Sequence, residues 1–397
     1  MNEKNALHLS FCNAVPSASS PVPSLTIKVQ MGKRLCREIR LSCKGAQLSK
    51  SGDALLCFGL LPAIELGVDL HIHASVQAEL LERCGEIQSL ICQWYPGSRP
   101  IKIHVAGTEP PSIVARNQRS AVFYSGGVDS SFSLLSEAGQ LDGTITLIGA
   151  DVATDDEFRA QRLDQMSNDV ANHFDLQQVV VTTDIRKTMD RLIGWVEYHG
   201  AVLAGVGHLL SQDFGKVIIA SSADLSSWNR PWGSHPGLDP LWSTPNLEVH
   251  HHGLLDRLSK IDSISNSEIL LRNLRVCDYE EPNCGGCEDC NFMLHSLETL
   301  DARQLAPTFQ RGDATKIDLP VTGEGSLSDL THLREAALQK GNTMLAEKIS
   351  VSLQKYNAKK LLKRIVNTDD IGNRFKRFKR RRRYRKACKT GLFIEKS

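Results

Sequence analysis

Along this 397-residue chain the apolar positions recur in two rhythms, and the change from one to the other divides it. From Ser24 to about Val114 alternation dominates, as in Leu25-Thr26-Ile27-Lys28-Val29 and Ile101-Lys102-Ile103-His104-Val105. That pattern predicts half-buried strands around a helix near Ser75–Cys84. After Pro110-Pro111 and the polar stretch Arg116–Ser120, short apolar segments take over at Ala121–Tyr124, Ile145–Val152, Val179–Thr183 and Lys216–Ser221. Between them lie helical stretches near Asp129–Glu137, Asp156–His173 and Gly200–Leu210. Buried strands alternating with helices predict βαβ units and an α/β fold, with a parallel doubly wound sheet that binds ligands at the carboxyl ends of its strands. Further on, a helix over Ser328–Lys340 ending at Gly341-Asn342, and another from about Thr343 to Tyr356, predict a helical appendage.

Five segments follow from this reading: a loose leader over residues 1–24, a β-rich accessory domain over 25–115, the α/β domain over 116–305, the appendage over 306–366 and a basic tail over 367–397. The leader has Pro16, Pro21 and Pro23 among serines and no continuous apolar core of a signal peptide. The longest apolar runs, such as Ala201–Val206, are far shorter than the roughly 20 residues of a membrane span. With 41% hydrophobic and 23% charged residues the composition is that of an ordinary globular protein, which argues against global disorder.

Eleven cysteines without an export signal suggest reduced thiols and a cytoplasmic location. Four of them, Cys277, Cys284, Cys287 and Cys290, form the spacing C-x6-C-x2-C-x2-C, with Pro282, Asn283, Gly285 and Gly286 as turn residues. Four thiolates within reach of one ion suit a closed, tetrahedral, structural zinc site (Zn2+), and they also suit an iron–sulfur cluster. Eleven of the 47 Lys and Arg lie between Arg374 and Lys389 in a stretch without acid, so the rest of the chain, with all 45 Asp and Glu, is net acidic. The tail carries charge for phosphates and aromatics for exposed bases, which suits nucleic acid through residues 374–389; a solvated tail, or one that folds against the acidic body or a partner protein, is the alternative.

The densest chemistry is at Ser125-Gly126-Gly127-Val128-Asp129-Ser130, which joins an apolar strand to a helix start. Adjacent glycines let the backbone approach a polyphosphate and aim successive N–H groups at it, and the helix N-terminus adds favourable partial charge. Ser125 and Ser130 can donate hydroxyl hydrogen bonds to phosphate oxygens, and Asp129 is the natural ligand for a magnesium ion (Mg2+) that bridges phosphates. The hexapeptide fits neither G-x-x-x-x-G-K-[ST] nor G-x-G-x-x-G, which counts against a P-loop NTPase and a dinucleotide fold. Ser221, Ser222 and Asp224 follow the strand Lys216–Ala220 and are expected at the carboxyl edge, where a substrate would lie. His250-His251-His252 reads as a polar loop in preference to a second metal tract.

The motif S-G-G-x-D-S resembles the pyrophosphatase loop of the N-type ATP pyrophosphatases (PP-loop, HUP-type sheet). Combined with the downstream cysteine spacing, it resembles the 7-cyano-7-deazaguanine synthase (QueC-like) family over roughly Ala121 to Leu300. The resemblance implies that ATP binds at Ser125–Ser130, with adenine held by main chain near Ile148. It places Lys260 near the α-phosphate or the departing pyrophosphate, and Ser234, His235 and Asp239 in a substrate loop whose sequence here differs in detail. The expected reaction is adenylation of a carboxylate, on a small molecule or a deazaguanine, followed by amide or nitrile formation. The alternatives are a tRNA-modifying enzyme and a nucleotide-binding scaffold or defence protein without chemistry. A homodimer is compatible with any of these.

Overall fold

A computed structural model describes residues 6–12, 22–31, 35–110, 116–277 and 282–366. The chain begins with β1 (Leu7–Phe11), β2 (Ser24–Met31), β3 (Leu35–Lys44), α1 (Gly52–Leu66), β4 (Leu70–Gln77), α2 (Ala78–Trp94) and β5 (Ile103–Glu109). It continues through β6 (Ser120–Phe123), α3 (Val128–Glu137), β7 (Gly143–Ile148), α4 (Glu157–His173), β8 (Gln177–Thr183), α5 (Ile185–Met189), α6 (Trp195–Leu209), β9 (Lys216–Ala220) and β10 (Glu248–His252). Five helices close the described chain: α7 (Arg257–Ile264), α8 (Glu268–Arg272), α9 (Glu288–Thr299), α10 (Glu324–Gln339) and α11 (Thr343–Val366) follow β10, with short 3-10 turns between. No described helix is long and apolar enough to cross a membrane.

The ten strands among the described residues form one sheet, in the order β10-β9-β6-β7-β8-β3-β2-β1-β4-β5. The five strands β10, β9, β6, β7 and β8 are mutually parallel, as the buried apolar runs predict. From β6 the chain winds outward to β7 and β8, then returns to the other side of β6 with β9 and β10. The crevice between the carboxyl ends of β6 and β9 is therefore a topological switch point, the usual ligand position in such sheets. Alternate residues of β6 serve opposite faces. Ala121 and Phe123 join a core with α1 and α6, while Val122 and Tyr124 join a second core built from α3, α4 and the helices after β10.

The N-terminal region is β-rich as expected, but its strands continue the α/β sheet instead of forming a sheet of their own. β3 pairs antiparallel with β8, from Leu41 opposite Thr183 to Lys44 opposite Val180. α1 packs on α6 so closely that a Cβ on Gly205 would lie 2.3 Å from the Phe58 ring, and the Tyr198 hydroxyl donates to the Phe58 carbonyl at 2.8 Å. The leader also needs correction: Leu7–Phe11 is a strand paired on both edges, with Leu7 and Leu9 fully buried. Two apolar residues at alternate positions suffice when strands flank them on both sides, and the prolines lie beyond. The helix expected at Ser75–Cys84 starts at Ala78 and runs to Trp94, Ser75 to Gln77 being the end of β4. The basic tail lies outside the described residues.

Candidate active site and four-cysteine centre

The turn after β6 is shaped by Gly126. Its φ is +78°, a conformation that side chains disfavour, and a Cβ there would lie 2.4 Å from the Met166 methyl on α4. Gly127 then serves as the N-cap of α3 with extended backbone, and no side chain among the described residues caps the helix. The first amides of α3, from Val128, Asp129 and Ser130, therefore point out of the helix without intrahelical acceptors. The two serines of the motif meet, their hydroxyl oxygens 3.3 Å apart, and Ser130 Oγ donates to the Gly127 carbonyl at 3.1 Å.

Lys260, on α7, comes to this turn from 131 residues away. Its Nζ donates to Asp129 Oδ1 at 2.8 Å and to the Ser221 carbonyl at 2.6 Å, with the side chain 1% exposed. The two residues expected to be catalytic are thus one ion pair, its lysine buried and its carboxylate half-buried, and Asp129 reaches the turn with one carboxylate oxygen already engaged. Arg257, one turn earlier on α7, lies 3.7 Å from Asp129 Oδ2 and 3.9 Å from Asp329 Oδ2 on α10. Burial opposes the charge on Arg257, yet Asp129, Asp329 and Asp289 outweigh it and raise its pKa. Burial likewise raises the Asp329 carboxyl to about 6, with Asp129 and Asp224 adding to the rise against the pull of Arg257. Sequence reasoning missed both residues. Arg257 was findable from its three-residue spacing to Lys260 on one helix face, whereas nothing local marks Asp329.

Beside this cluster opens a cavity of about 230 Å³. Ser221, Ser222, Asp224, Ser234 and His235 all border it, so the structure gathers five of the six expected substrate residues there. Some have local duties as well. The Ser221 hydroxyl donates to the Ala223 carbonyl at 2.8 Å, and Asp224 accepts from Ser226 at 2.5 Å and from Ser328 of α10 at 2.6 Å. Burial raises the Asp224 carboxyl, but these hydrogen bonds outweigh it and hold the group below the ordinary range. His235 Nε2 lies 2.7 Å from the Trp228 carbonyl, and burial lowers the pKa of the ring.

Asp239 is the exception, because it is fully buried and does not border the cavity. It accepts from Ser234 Oγ at 2.6 Å and the His235 amide at 3.3 Å, and pairs with His251 Nδ1 at 2.8 Å. It therefore clamps the Ser234–Asp239 loop to β10. His250–His252 are accordingly part of an edge strand and not a loop, paired in parallel with β9 from Ile218 to Ala220. Ile148 ends β7 with its side chain in the core, and the backbone leaves the sheet at Gly149, where a Cβ would lie 1.7 Å from the Thr183 carbonyl.

The four cysteines converge as their spacing predicts, all four sulfurs lying within 4.8 Å of one another. Cys284 and Cys290 are 3.8 Å apart, and Cys287 and Cys277 3.9 Å. A tetrahedral zinc with bonds of about 2.3 Å would need sulfur separations of about 3.8 Å, so the group can hold such an ion. Burial disfavours the Cys284 thiolate, but the Gly286 and Cys287 amides outweigh it and bring the thiol down to about 7. Gly285 has φ +75° and Cys287 caps α9. Two residues before Cys277, the Arg275 amide donates to the Gly126 carbonyl at 2.9 Å. The cysteine centre therefore anchors the segment that braces the glycine turn.

No protein-family model matches the chain, and no curated protein matches it.

Proposed function

We propose that the chain cleaves ATP to AMP and pyrophosphate in order to activate a substrate carboxylate as an acyl-adenylate, which an amine or ammonia then converts to an amide. This is chemistry of the N-type ATP pyrophosphatases, and the combined motifs resemble the QueC-like branch, in which the amide can be dehydrated to a nitrile. The observation that carries the reading is what meets at the switch point of β6 and β9: a glycine turn feeding an uncapped helix, a buried lysine, and a cavity bordered by the residues after β9.

In this reading the amides of Val128, Asp129 and Ser130 and the hydroxyls of Ser125 and Ser130 bind the β- and γ-phosphates, with the positive end of α3 behind them. A carboxylate oxygen of the substrate attacks the α-phosphorus, the bond to the bridging oxygen breaks, and pyrophosphate leaves with the electron pair. Lys260 places fixed positive charge where that negative charge develops, and its pairing with Asp129 and Ser221 holds it there without reorganisation. Asp129 would hold magnesium, which neutralises phosphate charge when bound with ATP. We assign the cysteine group to structural zinc, because four thiolates leave no open position for water.

The test is chromatography of nucleotides after incubation with ATP, magnesium, ammonia and 7-carboxy-7-deazaguanine, with Asp129→Asn as the control. AMP and pyrophosphate that are lost in the control are the expected products. ADP and phosphate as the products would overturn the adenylation mechanism.

A further inference from the structure

At the other end of the sheet from β6, four imidazoles gather on one face. Leu7 and Leu9 of β1 and Leu70 and Ile72 of β4 join the core with α1, so the residues that alternate with them, His8, His71 and His73, lie on the opposite face. The parallel register sets His8 beside His71, and His71 beside His104 of β5. Their rings follow one another with centroids 4.6 and 4.4 Å apart. His73 stacks on His8 from the other side, at 5.3 Å, and its Nε2 comes to 3.1 Å from His8 Nδ1. His73 and His104 are exposed, His8 and His71 half-buried.

We propose that His8 Nδ1 and His73 Nε2 chelate a divalent transition-metal ion, at a second metal site apart from the four cysteines. Two metal–nitrogen bonds of about 2.0–2.1 Å put their nitrogens about 3.3 Å apart at a tetrahedral angle and about 2.9 Å apart at a right angle. The observed 3.1 Å lies between these values. A hydrogen bond between two ring nitrogens also requires that one of them carry no proton, and an unprotonated imidazole nitrogen is the atom that a metal takes. Both ligands stand on neighbouring, hydrogen-bonded strands, so little order has to be created when the ion binds. Imidazole donors suit zinc, nickel and copper(II), whereas magnesium and calcium prefer oxygen.

This site differs in kind from the cysteine centre. Among the described residues the four cysteines are the only group of three or more His, Cys, Asp or Glu whose ligand atoms already meet. The histidine pair therefore supplies two positions and leaves the others to water, so its ion exchanges with solvent more readily than one enclosed by four thiolates. An ion there also cross-links β1 to β4. From β6, which carries the glycine turn, β1 is the fifth strand along the sheet, about 24 Å away at ~4.8 Å per strand. The inference is thus independent of the adenylation reading.

The experiment is equilibrium dialysis of the full chain against nickel chloride, with excess magnesium present. The starting protein is dialysed first against metal-free buffer, which leaves zinc at the cysteines alone. Elemental analysis then counts nickel and zinc separately in the parent, in His8→Gln/His73→Gln and in His104→Gln. The expected result is one nickel per chain in the parent and in His104→Gln, and none in the double variant, with the zinc retained in all three. Retained zinc and an unchanged circular dichroism melt separate loss of the site from loss of the fold. No bound nickel in the parent, or equal nickel in the double variant, would overturn the proposal. Equal loss in His104→Gln and the double variant would overturn the assignment to the pair, because it would mean that the whole row of rings gathers the ion. Displacement of nickel by magnesium would overturn the imidazole ligation.

Discussion

The ion pair between Lys260 and Asp129 can be tested as a double-mutant cycle. Lys260 is 1% exposed and has two acceptors, Asp129 Oδ1 and the Ser221 carbonyl. Asp129→Ala leaves the ammonium buried with one neutral acceptor, a loss of the kind that costs about 3–5 kcal/mol. Lys260→Met keeps the length of the stem and leaves Asp129 with Arg257 at 3.7 Å, so it should cost less, about 2 kcal/mol. The double variant strands neither charge. It should lose about 3 kcal/mol, well short of the sum, for a coupling of about 3 kcal/mol. Asp129 also favours the start of α3 by about 0.5 kcal/mol, but that loss occurs with or without Lys260 and cancels in the cycle. Urea denaturation followed by circular dichroism measures all four corners. Single costs that add to within about 0.5 kcal/mol would refute the reasoning, because they would mean that neither charge depends on the other.

Gly126→Ala should cost about 2–4 kcal/mol, from a positive φ and a methyl forced against Met166. Gly67→Ala, at φ +67° with open space around it, isolates the backbone part at about 1 kcal/mol in the same urea titration. Bound metal should be one zinc per chain by elemental analysis. Its removal by a chelator should lower both the melting temperature and the affinity for ATP, since the Arg275 brace on Gly126 would loosen; unchanged ATP affinity in the metal-free protein would disprove that link. Asp329 has a folded-state pKa near 6, above its unfolded value, so its contribution to stability is present below about pH 4 and lost as pH rises through 6. Asp329→Asn should therefore stabilise the chain more at pH 7.5 than at pH 4.5, by about 2 kcal/mol. A difference between variant and parent that does not change with pH, measured by urea titration at both values, would exclude this assignment.

How much could be read from the chain depended on the range of the signal. Ser125–Ser130 was legible because strand, turn and helix cap are consecutive and each constrains the next. The four cysteines were legible for the same reason. α1 escaped notice because every residue from Gly52 to Glu65 is buried, so the helix has no polar face and hence no 3.6-residue rhythm. β10 was obscured by its three histidines, which pack through particular partners, His251 against Asp239 and His252 against Ser133. The continuity of the sheet was not legible, because the pairing of β3 with β8 joins residues about 140 positions apart and leaves no local trace.

The same distinction bears on what the appendage is for. Read from sequence, residues 306–366 are a helical addition beyond the motifs. Folded, α10 places Ser328 on Asp224 at 2.6 Å and Asp329 beside Arg257, and buries Leu330, Leu333 and Ala337 in the core that also holds Tyr124 and Cys277. A helix that closes one wall of the cavity and shares a core with the glycine turn cannot be removed without opening both. Any substrate specificity that the cavity provides is therefore set partly by α10, outside the region that the motifs define. Ser328→Ala is the mildest way to test this. It removes a hydrogen bond to a charged partner, worth about 1–2 kcal/mol, and leaves the glycine turn, Lys260 and the cysteines untouched. Its expected effect is a higher KM for the acceptor with ATP affinity unchanged, measured by ATP–pyrophosphate exchange and amide formation side by side. An equal loss in both steps would mean that α10 supports the fold alone.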